Sequence, residues 1–522
     1  MKPRSLLIVD GYNDEPGGLG VPPYIDVYPR YIAGAVWAVD KDYRVMYMSV
    51  DELRARTLVD KVMRSFDVVA FVAGVVVPGK YIGGRPATAS ELISWASSIE
   101  GPIKVLVGPA ARWGMGPEGG QEAFPPSAFR SSFDVLVTGD PEEYFYDLFL
   151  YGEEKASPRS IRENYDKVNR FAVLGSKIVR YHPSYGKNLI AEIETYRGCA
   201  RWVSGGCSFC VEPLRGRPIA RSPEAIATEV GALYQQGVRN FRLGRQADIL
   251  VYGSEKLGED EWPRPNAQAL ERLFYGIRTA APNVSVLHID NVNPGTISRY
   301  PDDSREALKV IVKYHTPGDV AALGIESVDP KVIKINNLKV SMEDALRALE
   351  LINEVGSSRG SNGMPELLPG INFILGLPGE RRETYRLNKE FLQEVLRRRL
   401  LVRRVNIRKI LAIPSTRLYF MKWGVQDKYE PEARSFIYYV RHVFDRTELS
   451  WIAPKGTILT DIWVEDCEPL GYCYARQVGS YPLTIMLRGS YPRLYYIPKV
   501  VVTGVHSARA VEGVPVELAE SA

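Results

Sequence analysis

Glu194-Thr195-Tyr196-Arg197-Gly198-Cys199-Ala200-Arg201-Trp202-Val203-Ser204-Gly205-Gly206-Cys207-Ser208-Phe209-Cys210 puts three cysteines on one glycine-rich loop, directly after an apolar strand-like run, Leu189–Glu194. Three thiolates within twelve residues suit a soft-metal cluster. Gly198, Gly205 and Gly206 allow the backbone angles a loop needs to fold around one. A four-iron cluster held by three cysteines leaves one iron open to a small molecule. A zinc site and buried structural thiols are the alternatives. Zinc prefers a fourth Cys or His nearby, and the nearest histidine, His182, lies 17 residues upstream of Cys199.

Outward from this loop, strand and helix patterns alternate in both directions. Downstream, Ser222 caps a helix over Pro223–Gln236 that Gly237 stops. Strands follow at Asn240–Leu243, 284–289, 320–325, 371–375 and 404–412, with helices at 266–280, 303–314, 342–355, 381–398 and near 431–445. Six strand–helix repeats over 189–450 predict a central partial (β/α)6 TIM barrel, with its site at the carboxyl ends of the strands. Upstream, residues 1–155 alternate strands Leu6–Val9, Arg44–Met48, Val68–Val77, Val105–Val107 and Val135–Val137 with helices near 30–39, 51–66, 89–99 and 141–150. That is an N-terminal Rossmann-like parallel sheet in an α/β chain. Ligands of such sheets sit at the loops Asp10–Tyr24, Gly74–Gly84, Gly108–Gly116 and Thr138–Glu143. Residues 156–188 read as a surface linker. In 451–522 the runs Thr457–Glu465, Gly471–Gln477, Leu483–Arg488 and Lys499–Val505 predict a small C-terminal β-barrel of the OB type.

Composition excludes little beyond this. The 522 residues, 45% hydrophobic and 25% charged, are those of a soluble globular protein. No run of 18 apolar residues suggests a membrane span. The start reads as a first strand rather than a signal peptide, so a cytoplasmic protein is expected. A net charge of +4 neither requires nor excludes a nucleic-acid partner. Five cysteines argue against a disulfide framework, and Cys467 and Cys473 are expected to be isolated buried thiols. Arg397-Arg398-Arg399 with Arg403-Arg404 read as cations at a helix C-terminus, where they are favourable anyway.

Three later strand ends complete a pattern. They are Leu243-Gly244-Arg245-Gln246, then Leu323-Gly324-Ile325-Glu326-Ser327 followed by Asp329-Pro330 and Lys339, and then Ile371-Asn372-Phe373-Ile374-Leu375-Gly376-Leu377-Pro378-Gly379-Glu380. With the three-cysteine loop, they make residues 189–450 resemble the radical S-adenosylmethionine (SAM) superfamily. The usual spacing there is C-x3-C-x2-C. Here it is C-x7-C-x2-C, with the aromatic Phe209 kept before the last cysteine. The resemblance implies that Cys199, Cys207 and Cys210 hold a [4Fe-4S] cluster whose open iron chelates SAM. It implies SAM contacts at Phe209, Gly244, Arg245, Gln246, Glu326 and Asn372. Glu326 is also a candidate catalytic residue, with His288 and Arg408 on other strands. For His288, Asp290, Asn291, Asn406 and Arg408 the alternative is a satisfied polar residue inside the barrel.

The flanking domains add further resemblances. Pro22-Pro23-Tyr24, the Arg30–Ala35 helix, Val105–Pro109 and Val137–Glu143 resemble the cobalamin-binding domain of many such enzymes. This admits cobalamin as a further cofactor, although no histidine precedes His182 to ligate cobalt from below; a purely structural sheet is the alternative. That domain also has no cysteine for an auxiliary cluster, which disfavours methylthiotransfer. The C-terminal segment resembles the RNA-binding TRAM domain, with Arg476, Arg488, Arg493, Lys499 and Arg509 among Tyr474, Tyr481, Tyr491, Tyr495 and Tyr496. A solvated face with core tyrosines is the alternative there. The whole layout resembles an archaeal group of uncharacterised radical SAM proteins. The resemblance implies reductive cleavage of SAM, an external electron donor, and modification of a substrate carbon, with RNA or tRNA the favoured partner. An enzyme acting on a protein or small molecule, and a non-catalytic Fe–S or zinc RNA-binding protein, are the rivals.

Overall fold

Five parallel strands open the chain. The computed structural model describes residues 2–15, 18–56, 59–74, 81, 83–116, 122–421, 429–469 and 471–519. Across the first sheet the order is Arg44–Ser49, Ser5–Asp10, Val68–Val72, Ile103–Val107, Val135–Leu136. This is a doubly-wound order, reversing direction beside Ser5–Asp10. Helices cover both faces, so Leu6–Val9 are fully buried whichever way they point. The strand expected over Val68–Val77 ends at Val72, and 75–77 lie outside the described residues. The single helix expected near 51–66 is two short ones, Val50–Arg54 and Val59–Met63, the first started by a Ser49–Glu52 capping box.

The segment expected as a linker carries a helix, Asp166–Gly175. It packs on the first long helix, Val27–Val39, through two glycines. A Cβ at Gly34 would run into the carbonyl oxygen of Phe171, and one at Gly175 into that of Arg30. The approach is backbone on backbone, and the apolar stripe it needs is narrow: Val168, Phe171 and Ala172. A Gly34→Val chain is expected to lose about 3 kcal/mol or more, because the helices must part. Thermal unfolding checks this; an unchanged midpoint would show that the two helices do not depend on that contact.

The central strands run parallel in chain order: Ile190–Glu194, Asn240–Gly244, Val286–Ile289 continued by Asn291–Val292, Asp319–Glu326, Leu367–Leu375 and Arg404–Lys409. These six positions make the expected incomplete barrel. One edge gains a short strand from the N-terminal domain, Tyr24–Ile25, parallel to Ile190–Ala191. The other edge is Arg404–Lys409.

Five strands, Ile458–Glu468, Tyr472–Gln477, Thr484–Arg488, Tyr496–Val505 and Ala510–Pro515, close the C-terminal barrel. Cys467 and Cys473 are not isolated thiols: the hairpin register sets them directly opposite each other and they form a disulfide. The loop Gly479–Pro482 leaves this barrel and docks against the partial one. Tyr24 Oη donates to Gly479 O (2.9 Å), Ser480 N donates to His288 Nδ1 (2.8 Å), and Tyr481 Oη donates to Asp290 Oδ1 (3.4 Å). Among the described residues no helix is long and apolar enough to cross a membrane.

Candidate cluster and cofactor site

The cysteine loop folds as its glycines allow. Cys199 precedes a 3-10 turn, Ala200–Ser204, which absorbs most of the long spacing to Cys207. Gly198, Gly205 and Gly206 all take positive φ (97°, 81° and 64°). Ser208 anchors the far end: its N donates to Asn336 O (3.0 Å), its hydroxyl to Asn336 Oδ1 (2.7 Å), and its carbonyl accepts from Leu418 N (2.8 Å). Asn337 Nδ2 donates to Gly206 O at 3.0 Å. Cys199, Cys207 and Cys210 are all free; Cys207 is buried and the other two are half-buried.

A second group of side chains comes to the same place from the Asp319–Glu326 strand. The strand bulges between Gly324 and Glu326, and Glu326 takes a positive φ of 66°. Lys339 Nζ donates to Gly324 O at 3.2 Å. A Cβ on Gly324 would collide with Lys339 Nζ and lie 2.7 Å from Glu326 Oε1, so only glycine lets both side chains converge. Burial lifts the Glu326 carboxyl to about 7, against the pull of Lys339 and Arg408. For Lys339, burial works against the charge, but Cys207, Glu326 and Cys199 outweigh it and push the amine upward. Burial also raises the Cys199 thiol to about 11 and Cys210 well above its usual range, with the neighbouring thiols adding to both.

The donor set fits a [4Fe-4S] cluster. Among the described residues the free cysteines are these three, on one loop, and iron deprotonates a coordinating thiol outright. Arg201 Nη1 sits 3.4 Å from Cys207 Sγ, and Lys339 is close by, so cations flank sulfurs that would carry negative charge. Among the described residues no three His, Cys, Asp or Glu side chains converge as ligands of a metal ion.

The other expected site residues divide. Phe209 packs beside Cys207 and Cys210 against Leu377 and Leu418. Asn372 pairs in register with Gly324 and Asn406, and accepts from Asn406 Nδ2 (2.9 Å). Arg408 faces Glu326 and Asp14; burial opposes its charge, but Asp14 and Tyr81 lead the groups that raise it. Gly244 is required because a Cβ there would strike the Glu192 carboxylate. The side chains of Arg245 and Gln246 are held within the protein. Arg245 pairs with Glu15 of the N-terminal domain and lies 3.6 Å from Asp26 and 3.7 Å from Glu194. Gln246 Nε2 donates to Leu243 O (2.9 Å), and its Oε1 accepts from Thr195 (3.2 Å).

His288 is not brought to this group. Extrapolating the register of Asn291 with Ala322 sets it level with Asp319, the first residue of the strand that ends at Glu326. Seven residues of strand put it about 20 Å away. It is 2% exposed, seats Ser480 N, and burial lowers its basicity. Lys339 and Asp14 join the site without having been singled out for it. The signal for Lys339 was its place after Asp329-Pro330. Asp14 and Glu15 sit on the N-terminal loop, which the barrel holds down through Arg215–Glu15 (2.7 Å) and Arg245.

The chain is similar to several known proteins. The family model "Radical SAM superfamily", which stands for [4Fe-4S]- and SAM-dependent enzymes, matches residues 193–392. A Methanocaldococcus jannaschii protein described as uncharacterized is 43% identical over 485 residues, 92% of this chain and 87% of that one. The tRNA-2-methylthio-N(6)-dimethylallyladenosine synthase of Azobacteroides pseudotrichonymphae is 25% identical over 263 residues, 50% of this chain and 51% of that one. A solved structure of the radical SAM methyltransferase TsrM from Kitasatospora setae, with cobalamin and a [4Fe-4S] cluster bound, aligns over 80% of this chain and 77% of that one, with 16% identity and a TM-score of 0.46.

Proposed function

This chain belongs to one family with the Methanocaldococcus jannaschii protein, with a radical SAM domain at its centre, and on that premise we propose that it cleaves SAM reductively to modify a carbon of an RNA substrate, tRNA in the first instance. The observation that carries this is the meeting of Cys199 and Cys207 with Lys339 and Glu326 over Gly324. Cys199, Cys207 and Cys210 would hold the cluster. The chemistry it supplies when bound is one-electron cleavage of SAM to methionine and a 5′-deoxyadenosyl radical that takes a hydrogen atom, the electron coming from an external donor.

The protein's own groups orient SAM. Glu326, ionised, takes the positive end of SAM, and Asn372, level with Gly324 on the next strand, takes a hydroxyl. Phe209 and the backbone at Gly244, Arg245 and Gln246 would line the same pocket, and Arg408 would close its far side. RNA is favoured because Arg488, Arg493, Lys499, Tyr495 and Tyr496 are each exposed on the C-terminal barrel, where cations meet phosphate and rings stack bases. The relative that acts on tRNA points the same way. Cobalamin bound at the crest of the N-terminal sheet would make the reaction a methyl transfer; retention of hydroxocobalamin absorbance after desalting tests that step.

Anaerobic incubation of cluster-loaded protein with SAM and dithionite is expected to yield 5′-deoxyadenosine. A fully loaded protein that makes none refutes the proposal. Because Glu326 ionises only above about 7, SAM affinity is expected to rise between pH 6 and 8 and then level off. A Glu326→Gln protein, having lost a charge-assisted hydrogen bond, should bind SAM about 10-fold more weakly or worse at pH 8 and lose the pH dependence. Calorimetric titration at three pH values checks both; a flat wild-type profile removes Glu326 from SAM contact.

A further inference from the structure

Most buried arginines of this protein have a carboxylate in ion-pair contact: Arg30 with Glu229, Arg162 with Glu142, Arg197 with Glu194, Arg242 with Glu192. The open edge of the partial barrel breaks that rule. Arg404 and Arg408 point to one face of the edge strand, about 13 Å apart along it. Arg441, from a π turn over Val440–Phe444, donates to Val405 O at 2.9 Å, and Arg509, from the C-terminal barrel, reaches the same oxygen at 3.5 Å. Arg403, just before the strand, is 7% exposed.

Among the described residues, the one carboxylate in ion-pair contact with any of these five guanidiniums is Asp445, 2.5 Å from Arg441. Asp14 and Glu326 act on Arg408 from further off. Arg404 Nε is buried with no partner, and its guanidinium lies 4.7 Å over the ring of Tyr481. Burial, with the neighbouring arginines, lowers Arg403 and Arg404 to about 10 and Arg509 to about 9, so all stay charged at neutral pH. Arg403 is buried, Arg404, Arg408 and Arg441 are half-buried and Arg509 is exposed, so the edge gathers more cations than nearby carboxylates offset, and an anion would relieve that excess.

The row has a direction. It begins where Arg509 comes in from the C-terminal barrel, passes Arg404, and ends at Arg408, facing Glu326. Building on the RNA reading above, we propose that this arginine row binds the phosphodiester backbone of a single-stranded RNA segment, leading it along the open edge of the partial barrel from the C-terminal barrel to the mouth. A repeating anion suits a row better than a single phosphate does, and chemistry on a base requires a strand whose bases are out of the stack. Tyr481, under Arg404, offers a ring beside the same path.

The test uses the full cluster-loaded chain and a fluorescein-labelled 12-nucleotide single-stranded RNA of mixed sequence, with anisotropy read over a salt series. The Arg404→Gln/Arg509→Gln protein is expected to bind at least about 10-fold more weakly, and to lose about 1.4 from the slope of log affinity against log salt, 0.7 for each phosphate contact removed. An Arg397→Gln/Arg398→Gln protein loses equal charge from exposed arginines paired with Glu394 and Glu350, and should keep the wild-type slope. The exposed Arg509→Gln change alone gives the readout if the double variant does not fold. If wild type binds and both double variants bind alike, the row is overturned while RNA remains the substrate class. If wild type shows no salt-dependent binding, the RNA reading falls and takes the row with it.

Discussion

Cys207→Ser protein, reconstituted anaerobically with iron and sulfide, is expected to be colourless and to form no 5′-deoxyadenosine. Cys207 is the buried member of the three, Arg201 Nη1 points at its sulfur, and Lys339 feels its charge. A serine hydroxyl at that place is a hard, protonated donor where iron and sulfide need a thiolate. Two thiols cannot hold a cube that already leaves one corner to SAM. The same loss is expected for Cys199→Ser and Cys210→Ser. The comparison that gives the result meaning is Cys467→Ser, which breaks the C-terminal disulfide and leaves the loop intact; its iron content should equal that of wild type. Iron and sulfide analysis with visible absorbance decides the matter. Four irons retained in Cys207→Ser, or zinc alone in reconstituted wild type, would end the cluster assignment.

The barrel and its loop were legible because the sequence states them locally. Strands buried on both faces read as continuous apolar runs, as at Asp319–Glu326, expected over 320–325, and the glycines beside the cysteines mark positive φ. What stayed hidden depends on distant chain. Tyr24–Ile25 is a two-residue strand whose partner begins at Ile190. The helix Asp166–Gly175 buries Val168, Phe171, Ala172 and Gly175 at helical spacing, but the stripe is short and its closest contact is glycine against distant backbone, which no local pattern shows. Lys339 reaches Gly324 only because Asn337 turns the chain back through a left-handed residue (φ 51°). His288 shows its limit differently: alternation says that it faces inward, but its neighbour there is Ser480, from a domain 192 residues on. The arginines at 403 and 404 looked like helix-end cations. Arg397 and Arg398 are that, paired on the surface; Arg404 begins the edge strand with Arg403 just before it, and among the described residues neither has a carboxylate in ion-pair contact.

Glu229→Ala is expected to be the most destabilising single change in the seam between the first two domains. Glu229, on the helix Pro223–Gln235, is fully buried between Arg30 of the helix Val27–Val39 and Arg221, 2.5 Å away, with Tyr31 Oη at 3.4 Å. One carboxylate thus compensates two guanidiniums from two domains. Removing it leaves both cations in the interior, and an uncompensated buried partner costs about 3–5 kcal/mol, on the order of 10 °C in thermal midpoint for domains of this size. Burial alone would raise the Glu229 carboxyl; Arg221 and Arg30 outweigh it and hold it below its ordinary range. A carboxyl depressed in the folded state contributes stability that is complete above its unfolded pKa, about 4.3, and fades as pH falls through the folded value. The gap between wild type and Glu229→Ala should therefore be constant from pH 8 to 6 and close only in acid below about pH 4. Differential scanning calorimetry across that range reads it. A gap already closing near pH 6, or no gap at all, would mean that the two arginines find other partners and that this carboxylate does not join the domains. The seam matters for chemistry as well, since the helix it fixes follows directly on Asp26 and on the loop that lays Asp14 and Glu15 over the barrel mouth.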